Sequence, residues 1–423
     1  MYISISRKGV MMKNLVLNFA LAGAVLLSPG ALLYAQVGSS SGGIGIQTIF
    51  DNPLVFQNNP LVCGDVTQAG TAIAGDADGA DNDILTLGDN GTSGQIPVAG
   101  IPATAKVAQA RLYWTVLTDD AEDSFTGAAI NFNGTPILGT KIATSGDTPC
   151  FPQENTLAYR ADVTALVPSP GNGTYTVSGF PGGNAIGSVA VDPAPNFTEG
   201  TTLQIMWSNE STTFRQIASY EASGAGILPV SLSGDTLTQT LGNFLTNAAG
   251  AVSGKLYEVV GNGQNLGSSE LVDVDGLVNL NDTLDGSSAG TPAETCSYTD
   301  SAQNDCFWDD DAPDISAALT NADTSVTYNY TQTVDCHDFP ALVVSVSTDL
   351  TFGDYCEDGG AFVDAQCPAA GPLGGGTWAN HGDYVSCVSE AANAYLANNN
   401  TVCSTSCIVN PRARSNVGRG GQP

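Results

Sequence analysis

Alternation of apolar and polar positions is the clearest signal along this chain. Over residues 106–117, KVAQARLYWTVL, the even positions Ala108, Ala110, Leu112, Trp114 and Val116 are apolar, while Gln109 and Arg111 fall on the opposite side. A period of two is what a half-buried strand requires. Residues 174–180 and 202–208 repeat it, the latter with Leu203, Ile205 and Trp207 on one face, and 254–260, 325–333 and 341–350 are further strand segments. Asn133-Gly134, Asn172-Gly173, Gly182-Gly183 and Asn262-Gly263 supply turn chemistry between strands. Short strands, frequent turns and few long helical periods predict a mainly β chain: one large or two smaller β-sandwich (jelly-roll-like) domains, divided as 61–200 and 201–351, with a barrel as the other closure.

The period changes near the end. Residues 383–398, DYVSCVSEAANAYLAN, place Tyr384, Val388, Ala391 and Tyr395 on one helical stripe, with Asp383 as N-cap and the run of Asn398, Asn399 and Asn400 as the stop. Five cysteines (356, 367, 387, 403 and 407) surround this segment. Residues 352–411 therefore read as a small disulfide-rich module with one helix, and 412–423 as a flexible tail.

The first 35 residues have another character. Arg7, Lys8 and Lys13 precede an apolar run over 15–27, and Leu33-Tyr34-Ala35 ends in a small residue suited to cleavage. This is the layout of an export signal. Pro29-Gly30 interrupts a run already short for a span of ~20 residues, so no integral membrane span is expected in the mature chain. A Gly/Ser-rich stretch over 37–45 opens a linker or N-terminal segment, 36–60.

Composition then narrows the class. The chain has 423 residues, 42% hydrophobic and only 13% charged, which is too apolar for a disordered polymer. Its formal charge of −30 leaves no electrostatic footprint for nucleic acid. Between 256 and 411 there are 23 acidic residues and no Lys or Arg. Ten cysteines in an exported chain argue for disulfides. Cys296 with Cys306 and Cys403 with Cys407 are the short local pairs; Cys63 and Cys150, alone in the first half, are expected to pair with each other. Zinc competes for Cys336, His337, His381 and Cys387, but no CxxC spacing supports it.

Candidate chemistry is acidic. GDADGADND over 75–83 offers Asp76, Asp78, Asp81 and Asp83 around Gly79, an oxygen-rich loop suited to Ca2+, although its spacing departs from the EF-hand. Asp273, Asp275 and Asp282 form a weaker match. Asp309, Asp310, Asp311 and Asp314 form a third group, expected to be a solvated charge run. His337 and His381 are the only histidines and no G-x-S-x-G elbow occurs, so a hydrolytic triad has little to build on. Trp114 and Trp207 sit on apolar strand faces and read as core. Trp378, after three glycines, is the candidate exposed aromatic for binding.

Three segments carry a family resemblance: ARLYWT (110–115), ENTLAYRADVTALVPSPGNGTYTVSGF (154–180) and FWDDDAPDISAAL (307–319). With Cys150-Phe151 upstream and Trp308, Asp309 and Asp314 in the last segment, the chain over roughly 61–350 resembles a secreted bacterial β-sandwich domain of unknown function. That domain is found in cell-surface and extracellular, adhesin-like proteins. GTWANHGDYVSCVSEAANAYL (376–396) resembles a recurring Cys-containing tail module of secreted bacterial proteins. No adhesin-like repeats follow here. The resemblance says little of activity. The export signal, the ten cysteines, the β pattern, the acidic surface and the lack of a catalytic constellation lead to the expectation of a non-enzymatic secreted or cell-surface protein of adhesion, matrix or envelope structure. It is expected to be stabilised by disulfides and, through its Asp-rich loops, by Ca2+, with an extracellular polymer, glycan or cell surface as partner. A carbohydrate-binding module and a secreted hydrolase acting on polysaccharide or polyester are the alternatives.

Overall fold

The computed structural model describes residues 49–73, 92–118, 128–145, 155–181, 196–210, 213–225, 235–261, 271–281, 284, 295–296, 308–331 and 337–419. Among these the chain is mainly β. Four sheets stack in layers, and a small helical module is fastened to one end.

The first outer sheet has four strands, in the order Ser93–Val98, Gly173–Ser178, Ala129–Phe132, Thr135–Leu138. The first inner sheet centres on Asn155–Asp162, Lys106–Thr118, Phe197–Ser208 and Gly64–Ala72, all antiparallel neighbours. The second inner sheet centres on Gly254–Gly261, Asp338–Ser347 and Arg215–Glu221. The second outer sheet runs through Thr236–Gly242, Ser325–Thr331 and Leu271–Val274.

Alternation explains the stacking. Leu112, Trp114 and Val116, with Leu203, Ile205 and Trp207 from the neighbouring strand, pack on Ile96, Val98, Phe132, Tyr175 and Val177 of the first outer sheet. Trp114 and Trp207 are thus core, as their strand faces predicted. Gly139 lets the Trp114 ring approach: a Cβ there would lie 2.3 Å from the indole. On the far side, Leu256, Leu342, Val344 and Val346 meet Leu237, Val272, Val326 and Tyr328 in a second apolar layer. Ala108 departs from its predicted face. Val107 pairs with Trp207 and Gln109 with Met206, so Ala108 is the extra residue of a bulge. It packs on the opposite side, against the group of Val66 and Ile217.

The C-terminal module holds three helices rather than one: α1 (Phe352–Gln366), α2 (His381–Asn398) and α3 (Ser406–Ala413). Tyr355, Val363, Tyr384, Val388, Ala392 and Ile408 form its core. α2 starts two residues earlier than the stripe suggested. Asn380 is its cap, accepting from the Asp383 amide at 3.0 Å, and the Asp383 carboxylate accepts back from the Asn380 amide side chain at 2.9 Å. Of the segment expected to be a flexible tail, 412–423, the described part, 412–419, is docked. Arg412 bonds the Asp364 carboxylate and the Gly360 carbonyl, while the two ring nitrogens of His381 lie 2.7 Å and 2.8 Å from the carbonyls of Val417 and Ala413.

The disulfides correct two expected pairings. Cys63 is bonded to Cys403, across 340 positions, and not to Cys150; Cys407 is bonded to Cys356, and not to Cys403. Cys367 joins Cys387, which removes the latter from any zinc set. Spacing misleads here because tertiary folding brings Leu61–Val62 into parallel pairing with Thr401–Val402, setting Cys63 beside Cys403 with a Cα separation of 5.3 Å. The expected Cys296–Cys306 pairing lies outside what the structure describes.

Candidate functional site

The layer between the two inner sheets differs from both outer layers. Two small apolar groups lie in it, Val66, Met206, Ile217, Tyr257 and Val343 in one, Ala72, Tyr113, Val259, Trp308 and Ala341 in the other. Buried charge occupies the rest. Glu221, on the Arg215–Glu221 strand, reaches across to the first inner sheet and is only 2% exposed. Arg111 Nη1 donates to its Oε1 at 3.0 Å, the Tyr113 hydroxyl donates to the same oxygen at 2.7 Å, and Arg160 Nη1 donates to Oε2. Burial, and then the Glu221 carboxylate, push the Tyr113 hydroxyl well above its ordinary ionisation range. Nearby, Arg215 Nε donates to Ser345 Oγ at 2.6 Å and lies 3.3 Å from Asp65. Arg111, Arg160 and Arg215 are the only arginines between residues 8 and 411, and all three serve this layer.

Further carboxylates line the same layer. The Thr115 hydroxyl donates to Glu199, whose Oε2 lies 2.5 Å from where a Gly261 Cβ would sit; Gly261 is therefore small because that carboxylate fills its side-chain space. Asp338, opposite Gly261, is fully enclosed, and burial raises its carboxyl to about 8 despite a hydrogen bond with Thr156. His337 is also enclosed. Burial lowers its ring to about 3, the Leu284 backbone offsets part of that, and Nδ1 shares a 2.5 Å hydrogen bond with the Tyr330 hydroxyl.

Asp309, Asp310 and Asp311 overturn the expectation of a solvated charge run. They are 0%, 6% and 2% exposed, following Trp308, whose indole N–H donates to Thr202 Oγ1 at 2.7 Å. The antiparallel pairing of Asp309 with Val260 draws this acidic run into the edge of the second inner sheet. Asp314 alone keeps the expected character: it is exposed, and hydrogen bonds from Ser316 hold its carboxyl below the usual range.

The cation candidates fall differently. Asp76, Asp78, Asp81, Asp83 and Asp282 lie outside the described residues. Asp273 and Asp275 belong to a hairpin between Leu271–Val274 and Val278–Asn279. Asp273 Oδ1 accepts from the Gly276 amide at 2.6 Å, and Asp275 Oδ1 from the Thr327 amide at 2.8 Å. Among the described residues no group of three or more His, Cys, Asp or Glu side chains is arranged to hold a metal ion. Trp378 is not the free aromatic platform its glycine neighbours suggested. It is half-buried, its N–H donates to the Pro368 carbonyl at 2.9 Å, and it meets Tyr384 edge-on.

A cleft of about 350 Å³ opens where the first inner sheet meets the helical module. Thr104, Lys106, Asn209 and Glu210 come from strand ends of the sheet, Phe352 and Ser404 from the module, and Cys63 of the Cys63–Cys403 bond forms part of the wall. These elements are rigidly held. Thr351 caps α1 in a reciprocal box with Asp354, which fixes Phe352 in the first turn. Asn209 Nδ2 donates to Thr104 Oγ1 at 3.2 Å, and the Tyr355 hydroxyl donates to the Ser404 carbonyl at 2.9 Å. Hydrogen bonds from Ser404 and Ser406, with Lys106 adding its charge, hold the Glu210 carboxyl below its ordinary range. Sequence reasoning missed this cleft because its residues, scattered from 63 to 404, share no motif.

No family model, no curated protein and no solved structure matches this chain. No helix among the described residues is long and apolar enough to cross a membrane.

Proposed function

We propose that this chain is an exported, non-enzymatic protein of the cell surface or extracellular matrix, serving adhesion or envelope structure as a covalently closed β scaffold. The observation that carries this reading is the Cys63–Cys403 bond, which ties the strand near the beginning of the fold to the module at its end. A disulfide across so long a loop restricts the unfolded chain strongly in the loop-entropy account, and its removal costs about 2–5 kcal/mol. Such bonds persist in oxidising compartments, in keeping with the export signal read over residues 1–35. His337 and Asp338, two groups whose ionisation burial displaces strongly, are 0% and 3% exposed, which favours a structural over a hydrolytic role.

The closed loop has a mechanical consequence. Tension applied at the two chain ends passes through the disulfide and leaves the residues between Cys63 and Cys403 unstretched. In single-molecule pulling, the oxidised protein should show no extension from that loop. Reduction should release about 340 residues, or roughly 1,100–1,200 Å at ~3.3–3.6 Å per residue. Surface biotinylation of producing cells, with thiol alkylation before lysis, tests the location. Recovery inside the cell with Cys63 and Cys403 reduced would end the reading.

A further inference from the structure

We infer that the cleft between the first inner sheet and the helical module is a binding site for an uncharged, hydroxyl-rich ligand, a sugar ring of an extracellular glycan. Its volume of about 350 Å³ falls within the ~300–1,000 Å³ of small-molecule sites. The chemistry of its wall selects the class. Glu210, held ionised by two serine hydroxyls, accepts hydrogen bonds from ligand O–H groups; Lys106 and Asn209 donate to ligand oxygens; and the half-buried Phe352 ring offers an apolar face for the C–H side of a sugar.

One anion and one cation in the same cleft leave it without net charge, so it holds no attraction for a phosphate or a polyanion. A chain carrying −30 overall repels such ligands before they arrive. Preorganisation adds to this. Phe352 sits on a capped helix, Ser404 is anchored by Tyr355, and the disulfide at Cys63 fixes the two walls against each other. This inference deepens the surface-protein reading and rests on it for the source of the ligand.

The test is calorimetric titration of the oxidised protein with maltotriose, cellotriose, mannotriose and chitotriose, and with dextran sulfate as the anionic comparison. At least one neutral trisaccharide should bind with a Kd tighter than about 1 mM. Phe352→Ala and Glu210→Gln should each weaken it by about tenfold, equivalent to ~1.4 kcal/mol, while far-ultraviolet circular dichroism stays that of the parent protein. Glu210→Gln changes one exposed group, so it keeps the test valid even if Phe352→Ala loosens α1. The site is overturned if none of the four binds, if binding survives both substitutions unchanged, or if dextran sulfate binds more tightly than every neutral sugar. A protein found at the surface that binds no sugar removes the cleft assignment alone. One found reduced inside the cell removes the surface reading, whatever the cleft binds.

Discussion

The outer inter-sheet layers and the central one are made by opposite faces of the same strands, yet they stabilise by different means. In the outer layers Leu112, Trp114, Val344 and Val346 meet other apolar side chains, and burial of area does the work. In the central layer Arg111, Arg160, Tyr113 and Glu221 meet, and removing those charges from water costs much of what their attraction returns. An apolar layer tolerates change in proportion to the volume lost. A charged layer fails when one partner is missing and survives when all are replaced together.

The sharpest break in this comparison is Glu221→Ala. Two half-buried guanidinium groups, with side chains 14% and 29% exposed, would lose their shared buried carboxylate, and urea unfolding should show a loss of about 3 kcal/mol, the low end for a broken buried pair. Replacing the set together, as Arg111→Met, Arg160→Met and Glu221→Leu, should recover most of that loss. A triple variant no better than the single one would show that the layer is held by something other than ion pairing. In the apolar layer Leu342→Ala should cost about 2–5 kcal/mol by the same measurement, and Leu342→Met under ~1.5 kcal/mol.

A third test uses pH. Folded Asp338 keeps its proton up to about 8, whereas an unfolded aspartate loses it near ~4, so folding takes up a proton and stability falls as pH rises between those values. His337 acts in the opposite direction from about 3 to its unfolded value near ~6.5, because the unfolded ring binds a proton that the folded ring refuses. Between ~6.5 and 8 only the Asp338 contribution of this pair remains. Asp338→Asn should therefore lose less melting temperature than the parent protein from pH 6.5 to 8; equal losses would sink the assignment. The smallest effect belongs to Asp314→Ala, which removes an exposed acceptor for the hydrogen bonds that Ser316 donates and should cost no more than about 1 kcal/mol in urea unfolding.

This contrast also explains what the sequence could reveal. Strands whose apolar face meets an outer sheet announced themselves through alternation, and Lys106–Thr118 was legible almost to the residue. The same alternation concealed the central layer. Gln109, Arg111 and Thr115 look like positions facing water, because a polar face satisfied by another protein layer has the same pattern as one satisfied by solvent. Asp309, Asp310 and Asp311, as a run of consecutive charges, have the pattern of a solvated segment although protein covers them. α1 escaped notice because Gly359 and Gly360 argue against a helix. Both are small where α3 crosses: a Cβ on Gly359 would lie 2.3 Å from Ile408, and on Gly360 3.0 Å from Arg412. The cleft depends on contacts among distant strand ends, which no local spacing encodes.

The parallel pairing of Leu61–Val62 with Thr401–Val402 also sets a timetable. A ribosome delivers residue 61 long before residue 402, so a nascent chain must wait with that edge of its inner sheet open until the last module emerges. Closure of that edge therefore follows synthesis of residues 401–402. Until then the outer edge of residues 61–62 lacks its neighbour, and a message truncated before codon 403 yields a product whose first cysteine has lost its partner.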